Sequence, residues 1–212
     1  MNLTKYLNEK FPKLSLSPPL FYKWHTGIRF ELGNPKENDE VTYMDGVYQR
    51  SLTIFKQLHR PIDDMFIVAN VNHDSFENRK LKIFNHNIKN KSVLYRLQHE
   101  VVPNDFEDEF DIHEIETHRY SITCKTSDIK YSHLIKAICN QDMGIKPKIK
   151  DDVFFINTTN DTILHIYDDR GCDVITRNKE SIRPLYKQFH DWILNHDRVA
   201  IDKIFEENKG ES

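Results

Sequence analysis

Apolar and polar residues follow two different rhythms along this chain, and each switch between them marks a predicted element. Over residues 27–33, GIRFELG, the period is two. Ile28, Phe30 and Leu32 fall on one face and Arg29 and Glu31 on the other, as in a strand with one buried and one ionic face. From 41 to 59 the period becomes helical, with Met44, Val47, Tyr48, Ser51, Phe55 and Leu58 on one stripe and Gly46 tolerated near its start. DMFIVANVN predicts an apolar strand, and a weaker helical pattern runs through Leu81, Phe84 and Ile88. SVLYRLQHEVV and THRYSITCKT predict two more strands. SDIKYSHLIKAICNQDMG carries the best helical pattern. Ser127 or Asp128 can cap its free amides, Tyr131, Leu134, Ile135 and Ile138 form its stripe, and Gly144 can close it in the left-handed conformation. DDVFFINTT, TILHIYDD and GCDVIT predict three strands in succession. Ile182, Leu185, Tyr186, Phe189, Trp192 and Ile193 predict a helix, which Ala200, Ile201, Ile204 and Phe205 extend or restart after a cap at Asp197. Ahead of all these, a short helix is predicted around Leu3 to Phe11, stopped by Pro12.

The resulting order is β-α-β-α-β-β-α-β-β-β-α. Early alternation of strand and helix predicts parallel, right-handed crossovers, and the late run of strands predicts an antiparallel meander. The expected class is α+β with an α/β-like N-terminal half, built on a mixed sheet packed with helices. With 8 Pro, 6 Gly and no linker-like tract in 212 residues, one globular domain over 1–212 is expected.

Charge changes the picture more than composition does. The formal net charge is −3 and the longest basic-leaning run, IKPKIK, holds just three lysines, so nucleic acid is a poor candidate partner. The start, MNLTKYLNEKF, lacks the apolar core of a signal peptide, and no segment has the apolar length to span a bilayer. A cytoplasmic location follows as the expectation, with Cys124, Cys139 and Cys172 as reduced, mostly buried thiols. NDFEDEFDIHEIE places seven carboxylates between Asp105 and Glu116 without a Lys or Arg. Its plain reading is an exposed acidic connection. Its functional reading is a surface, with Asp105, Glu107, Asp108, Glu109 and Asp111 at its centre, that steers a basic protein partner into place. The stretch lacks the central Gly of a calcium loop, and HEIETH spaces its histidines one residue too far apart for the zinc-protease helix. No Gly-rich phosphate loop, nucleophile elbow or Cys-x-x-Cys occurs. No metal and no cofactor are expected.

IYDDRGCDVI, residues 166–175, packs acids, a base, a glycine and a cysteine together. Asp169-Arg170-Gly171 suits a type I turn closed by a glycine at positive φ, which would pair Asp168 with Cys172 and Tyr167 with Asp173. His165, Tyr167 and Asp173 then share a face, with Asp169 and Arg170 at its rim and Asp168 also a candidate for the site. A turn is the first reading. The sharper one is a polar site, joined by Arg29 and Glu31 if their strand lies beside this hairpin. Arg29 would then anchor an anion, Glu31 or His165 act as base, and Tyr167 or Asp173 orient it.

PPLFYKWHTGIRFELG, CKTSDIKYSHLIKAICNQDMGIKPKI, IYDDRGCDVI and LYKQFHDWIL together resemble an uncharacterised bacterial family, domain of unknown function 3885, over about residues 11 to 205. The resemblance implies one complete domain and carries no activity, cofactor or catalytic residue with it. Two functions therefore compete. One is a small cytoplasmic binding protein that neutralises or regulates a protein partner, as an immunity protein does. The other is a cofactor-independent hydrolase or transferase of a small polar or anionic substrate. A structural subunit that packs its polar hairpin against a second copy is a third, and the sequence leaves the oligomeric state open.

Overall fold

A computed structural model describes residues 2–72, 79–103 and 117–206. Helix α1 (Leu3–Lys10) starts on Asn2, whose side chain accepts the Lys5 N–H. Strand β1 (Gly27–Glu31) leads to α2 (Glu40–Leu58), which begins at Asp39; that carboxylate accepts the amide and hydroxyl of Thr42, each at 2.8 Å. There follow β2 (Asp64–Asn72), α3 (Arg79–Asn87), β3 (Gln98–Val102), β4 (Thr117–Lys125), α4 (Tyr131–Cys139), β5 (Asp152–Asn157), β6 (Thr162–Ile166), β7 (Gly171–Thr176), α5 (Lys179–Gln188) and α6 (Arg198–Phe205).

The strands form one seven-stranded sheet in the order β1-β7-β6-β5-β2-β4-β3. Every neighbouring pair is antiparallel, which corrects the expectation of a mixed sheet with parallel crossovers. The helical connections do return the chain in the same sense: β1 and β2 run alike, as do β2 and β3. Yet β7, β6 and β5 fill the gap between the first two, and β4 fills the gap between the second two. Alternation of strand and helix reports direction, and it says nothing about which later strand is inserted between.

Strand alternation gives the sheet two packed faces. Ile28, Phe30, Ile67, Phe155, Leu164 and Val174 meet α2, α4, α5 and α6 on one side. Phe66, Val68, Phe154, Ile156, Ile163 and Ile175 meet α1 and the segment through Leu20 on the other. Burial on both faces explains why DVFFIN and TILHI read as continuous apolar runs. Three elements end differently from expectation. Lys91–Arg96 is a 3-10 helix, so the strand begins at Gln98. α4 stops at Cys139, and Gly144, at φ +70°, lies in the turn beyond it. α5 ends at Gln188, and Phe189, Trp192 and Ile193 continue through a separate 3-10 turn. No helix among the described residues is long and apolar enough to cross a membrane.

Candidate functional site

The ionic face predicted for β1 points to the N-terminal side of the sheet, where three strands bring polar residues into one row. Arg29 lies opposite Asp173 on β7, and Asp173 lies opposite His165 on β6. Arg29 holds Asp173 with two parallel bonds, Nε to Oδ1 at 2.8 Å and Nη2 to Oδ2 at 2.9 Å. The Phe21 N–H donates to the same Oδ2 at 2.9 Å. Asp173 is fully buried, and the pair is roofed by the aromatic residues of the 3-10 helix Leu20–Lys23. The guanidinium carbon sits 4.6 Å from the Tyr22 ring centroid and 5.5 Å from that of Phe21. Asp197 approaches from the start of α6, 3.8 Å from Arg29 Nη1, and accepts the Tyr22 hydroxyl at 2.9 Å. Burial acts against the Arg29 charge, but the hydrogen bonds and charge of Asp173 outweigh it and raise the guanidinium pKa above its ordinary value.

His165 continues the row. It is fully buried, stacks on Phe154 with centroids 4.5 Å apart, and has Nε2 3.6 Å from Asp152 Oδ1. Neither ring nitrogen makes a hydrogen bond among the described residues. Tyr167 leans over Arg29 at 5.8 Å, and burial, reinforced by the charge of Asp173, raises its phenol pKa. Glu31, opposite Gly171, is the outlier. Its side chain makes no hydrogen bond or ion pair among the described residues, while its carbonyl accepts Arg50 Nη1 at 3.1 Å.

The hairpin differs from expectation by one residue. Ile166 pairs with Cys172, His165 with Asp173, and the Tyr167 N–H reaches the Gly171 carbonyl, so the loop is 168–170. Asp168 begins the turn: its Oδ1 accepts the Arg170 N–H at 2.7 Å, and its Oδ2 takes the Arg170 side chain through Nε, at 2.7 Å, and through Nη2. Gly171 is not at positive φ. It is required because a Cβ there would lie 2.7 Å from both the Phe30 carbonyl oxygen and the Tyr167 hydroxyl. Moving the loop by one residue shifts each cross-strand partner by two, so His165, Tyr167 and Asp173 still share a face.

Asp169 turns the other way and accepts the Tyr43 hydroxyl of α2 at 2.7 Å, while Gln141 donates to the Tyr167 carbonyl at 2.7 Å. Burial and that carboxylate raise the Tyr43 pKa. Asp142, Asp168 and Asp169 bring one oxygen each within 4.8 Å of one another, the grouping among the described residues with metal-ligand spacing. Three hard oxygens suit a divalent cation, but Arg170 already serves Asp168 and reaches Asp142 at 3.5 Å. Cys124, Cys139 and Cys172 are buried and unpaired; burial pushes Cys124 and Cys139 up to about 12 and Cys172 well above the usual thiol value, which suits inert thiols rather than nucleophiles.

Of the residues that the sequence nominates, Arg29, His165, Tyr167 and Asp173 meet in one enclosed row. Asp168, Asp169 and Arg170 form the adjacent turn, and Glu31 stands apart. Asp105, Glu107, Asp108, Glu109 and Asp111 lie outside the described residues. Sequence reasoning missed Tyr22, Tyr43 and the role of Asp197. Asp197 does precede α6 as expected of a cap, but its side chain makes no cap bond and is spent on Tyr22.

The chain is 38% identical over 208 residues to uncharacterized protein YnaE of Bacillus subtilis (strain 168), covering 91% of this chain and 97% of that protein. No solved structure matches it. The family model for domain of unknown function DUF3885 matches residues 3–197, nearly the whole described fold, and the chain belongs to that family.

Proposed function

We propose that this chain is a protein-binding module whose working surface is the β3–β4 end of its sheet and whose partner presents a basic face. The acidic connection carries the reading: the residues joining β3 to β4 hold seven carboxylates and no Lys or Arg. A field of one sign at one end of a molecule speeds encounter with an oppositely charged surface and suppresses wrong partners. Two features of the strand that precedes that connection supply contact area. β3 is the terminal strand of the sheet, with a mostly exposed burial pattern. Tyr95, 95% exposed, and Val101, 51% exposed, stand at its entry and within it. Neutralisation of a basic toxin, as an immunity protein performs it, belongs to this class of function.

The enzyme reading draws less support from the site. Arg29 and Asp173 satisfy each other beneath Phe21 and Tyr22, and Asp168 is engaged by Arg170; His165, whose ring nitrogens make no hydrogen bond among the described residues, is fully buried, so the row gives a substrate little access. The binding reading is tested by capture from bacterial extract with the native chain and with Asp108→Lys/Glu109→Lys, followed by titration of the purified partner. The expected result is a stoichiometric partner whose affinity falls at least about tenfold on charge reversal and again with added salt. Affinity indifferent to both changes overturns the reading.

A further inference from the structure

The geometry points to a second site, at the opposite edge of the sheet: a cleft that binds a small oxyanion-bearing molecule, with Arg50 as the anchor for its carboxylate or phosphate. The cleft has a volume of about 340 Å³ and lies between the first half of α2, the connection that follows β1, and Trp192. Its lining includes Thr42, Tyr43, Gln49, Arg50 and Trp192, which together offer hydroxyl, amide, guanidinium and aromatic surface. A small-ligand site needs this combination of an apolar platform and a few convergent polar groups.

Arg50 is the decisive residue. Among the described residues no carboxylate lies within ion-pairing distance of it. Its side chain is held by the Glu31 carbonyl, 3.1 Å from Nη1, and by the Trp192 ring, 5.2 Å from the guanidinium carbon to the centroid. Arg29, Arg170 and Arg183, by contrast, all bind carboxylates within the chain. A positioned fork with most of its donors uncommitted is matched by the planar edge of a carboxylate or the face of a phosphate. Trp192, stacked on Phe189 with ring centroids 4.4 Å apart and lying under the Arg50 guanidinium, adds an apolar wall beside it. Glu37, also in the lining, accepts the Asp39 N–H at 3.0 Å and supplies an acceptor for a donor group on the same ligand.

Two glycines clear this space, each in its own way. Gly46 stands inside a 19-residue helix, where glycine weakens the helix relative to alanine, and nothing lies within 4 Å of the position its Cβ would occupy. No packing constraint demands glycine there, and its bare backbone leaves the cleft floor open. At Gly33 a Cβ would run into the Tyr43 side chain, so glycine lets that ring lie against the backbone while its hydroxyl reaches Asp169. The DDRG turn thereby fixes one wall of the cleft.

The test uses the full chain, with benzoate and inorganic phosphate as probes, followed by calorimetry and by the fluorescence of Trp192 in a Trp24→Phe background. Saturable binding of either probe is expected in the native chain, and the probe that binds tells carboxylate from phosphate. Arg50→Met is expected to weaken it at least about tenfold, the loss of a charge-assisted hydrogen-bonded pair. Gly46→Leu, whose Cβ meets nothing within 4 Å, is expected to fill the cleft and abolish binding while circular dichroism stays native and the unfolding midpoint does not fall. It keeps the test valid should Arg50→Met fail to fold. Absence of saturable binding by both probes, or binding that survives Gly46→Leu or a folded Arg50→Met, overturns the assignment.

Discussion

Asp173, nominated from sequence for a candidate polar site, is a joint in the fold. One carboxylate receives two guanidinium bonds and a backbone amide, tying β7 to β1 and to the aromatic segment above them. Such a pair contributes little over a hydrophobic replacement, but breaking one side strands the other. Asp173→Ala is therefore expected to cost about 3–5 kcal/mol in urea denaturation, because Arg29 stays buried without its partner. His59 provides a pH signature. It is buried against Phe55, and burial pushes its imidazole pKa down to about 4 from 6.5. Between those two values the unfolded chain binds the proton and the folded chain does not, so stability falls as pH falls through that window. The native chain should lose about 2 kcal/mol more than His59→Phe between about pH 8 and pH 5, measured by denaturant titration. A pH dependence identical in the two proteins would assign the loss to carboxylates instead. The alternation of GIRFELG made the direction of Arg29 legible. Its companions Tyr22 and Asp197 were not, because Tyr22 reaches it from a 3-10 turn with no periodic pattern and Asp197 from the far end of the chain, and no local spacing encodes that meeting.

The hairpin and the second helix show how one residue type answers to different demands. DDRG announced a turn correctly, yet the glycine was assigned to backbone conformation when its purpose is close approach. Asp168, caught by its own Arg170 N–H, starts the loop one position early, and β1 then presses its Phe30 carbonyl against Gly171. A methyl group at that position has to push β1 away. Gly171→Ala is expected to destabilise by about 1–3 kcal/mol, the range for forcing extra volume into a packed site. Gly46→Ala is expected to do the opposite and stabilise by about 0.5–1 kcal/mol, since α2 gains helix propensity where nothing obstructs a Cβ. Thermal unfolding of the two variants side by side checks both signs. Helices with long stripes were readable because their period is local. Strand neighbours were not: β1 and β2 are adjacent in sequence order yet sit four places apart in the sheet.

Among the described residues the two edges of the sheet are finished in opposite ways, one covered by returning chain and the other without a further strand. Beyond β1 the chain returns: Phe30 bridges to Ile193, and the Leu194 N–H donates to the Arg29 carbonyl at 3.0 Å. That edge is covered. β3 at the other edge has no strand beyond it among the described residues, and exposed edges invite pairing with another chain unless charge or geometry prevents it. Here the acidic connection follows that strand in sequence, and under the proposed binding function the charges that would repel a second copy would attract a basic partner. Val101→Lys tests whether the edge itself is used. The residue is half exposed on the terminal strand, so stability should change by no more than about 0.5 kcal/mol. Placed in the contact, the lysine meets a basic surface with like charge and removes an apolar anchor. The partner's affinity should fall at least about tenfold, mostly through faster dissociation. Surface plasmon resonance with the native chain, Val101→Lys and the charge-reversed variant then distinguishes two modes of contact. Slower association alone in the charge-reversed protein, with faster dissociation alone in Val101→Lys, assigns steering to the connection and holding to the strand. Val101→Lys binding with native kinetics restricts the interface to the connection.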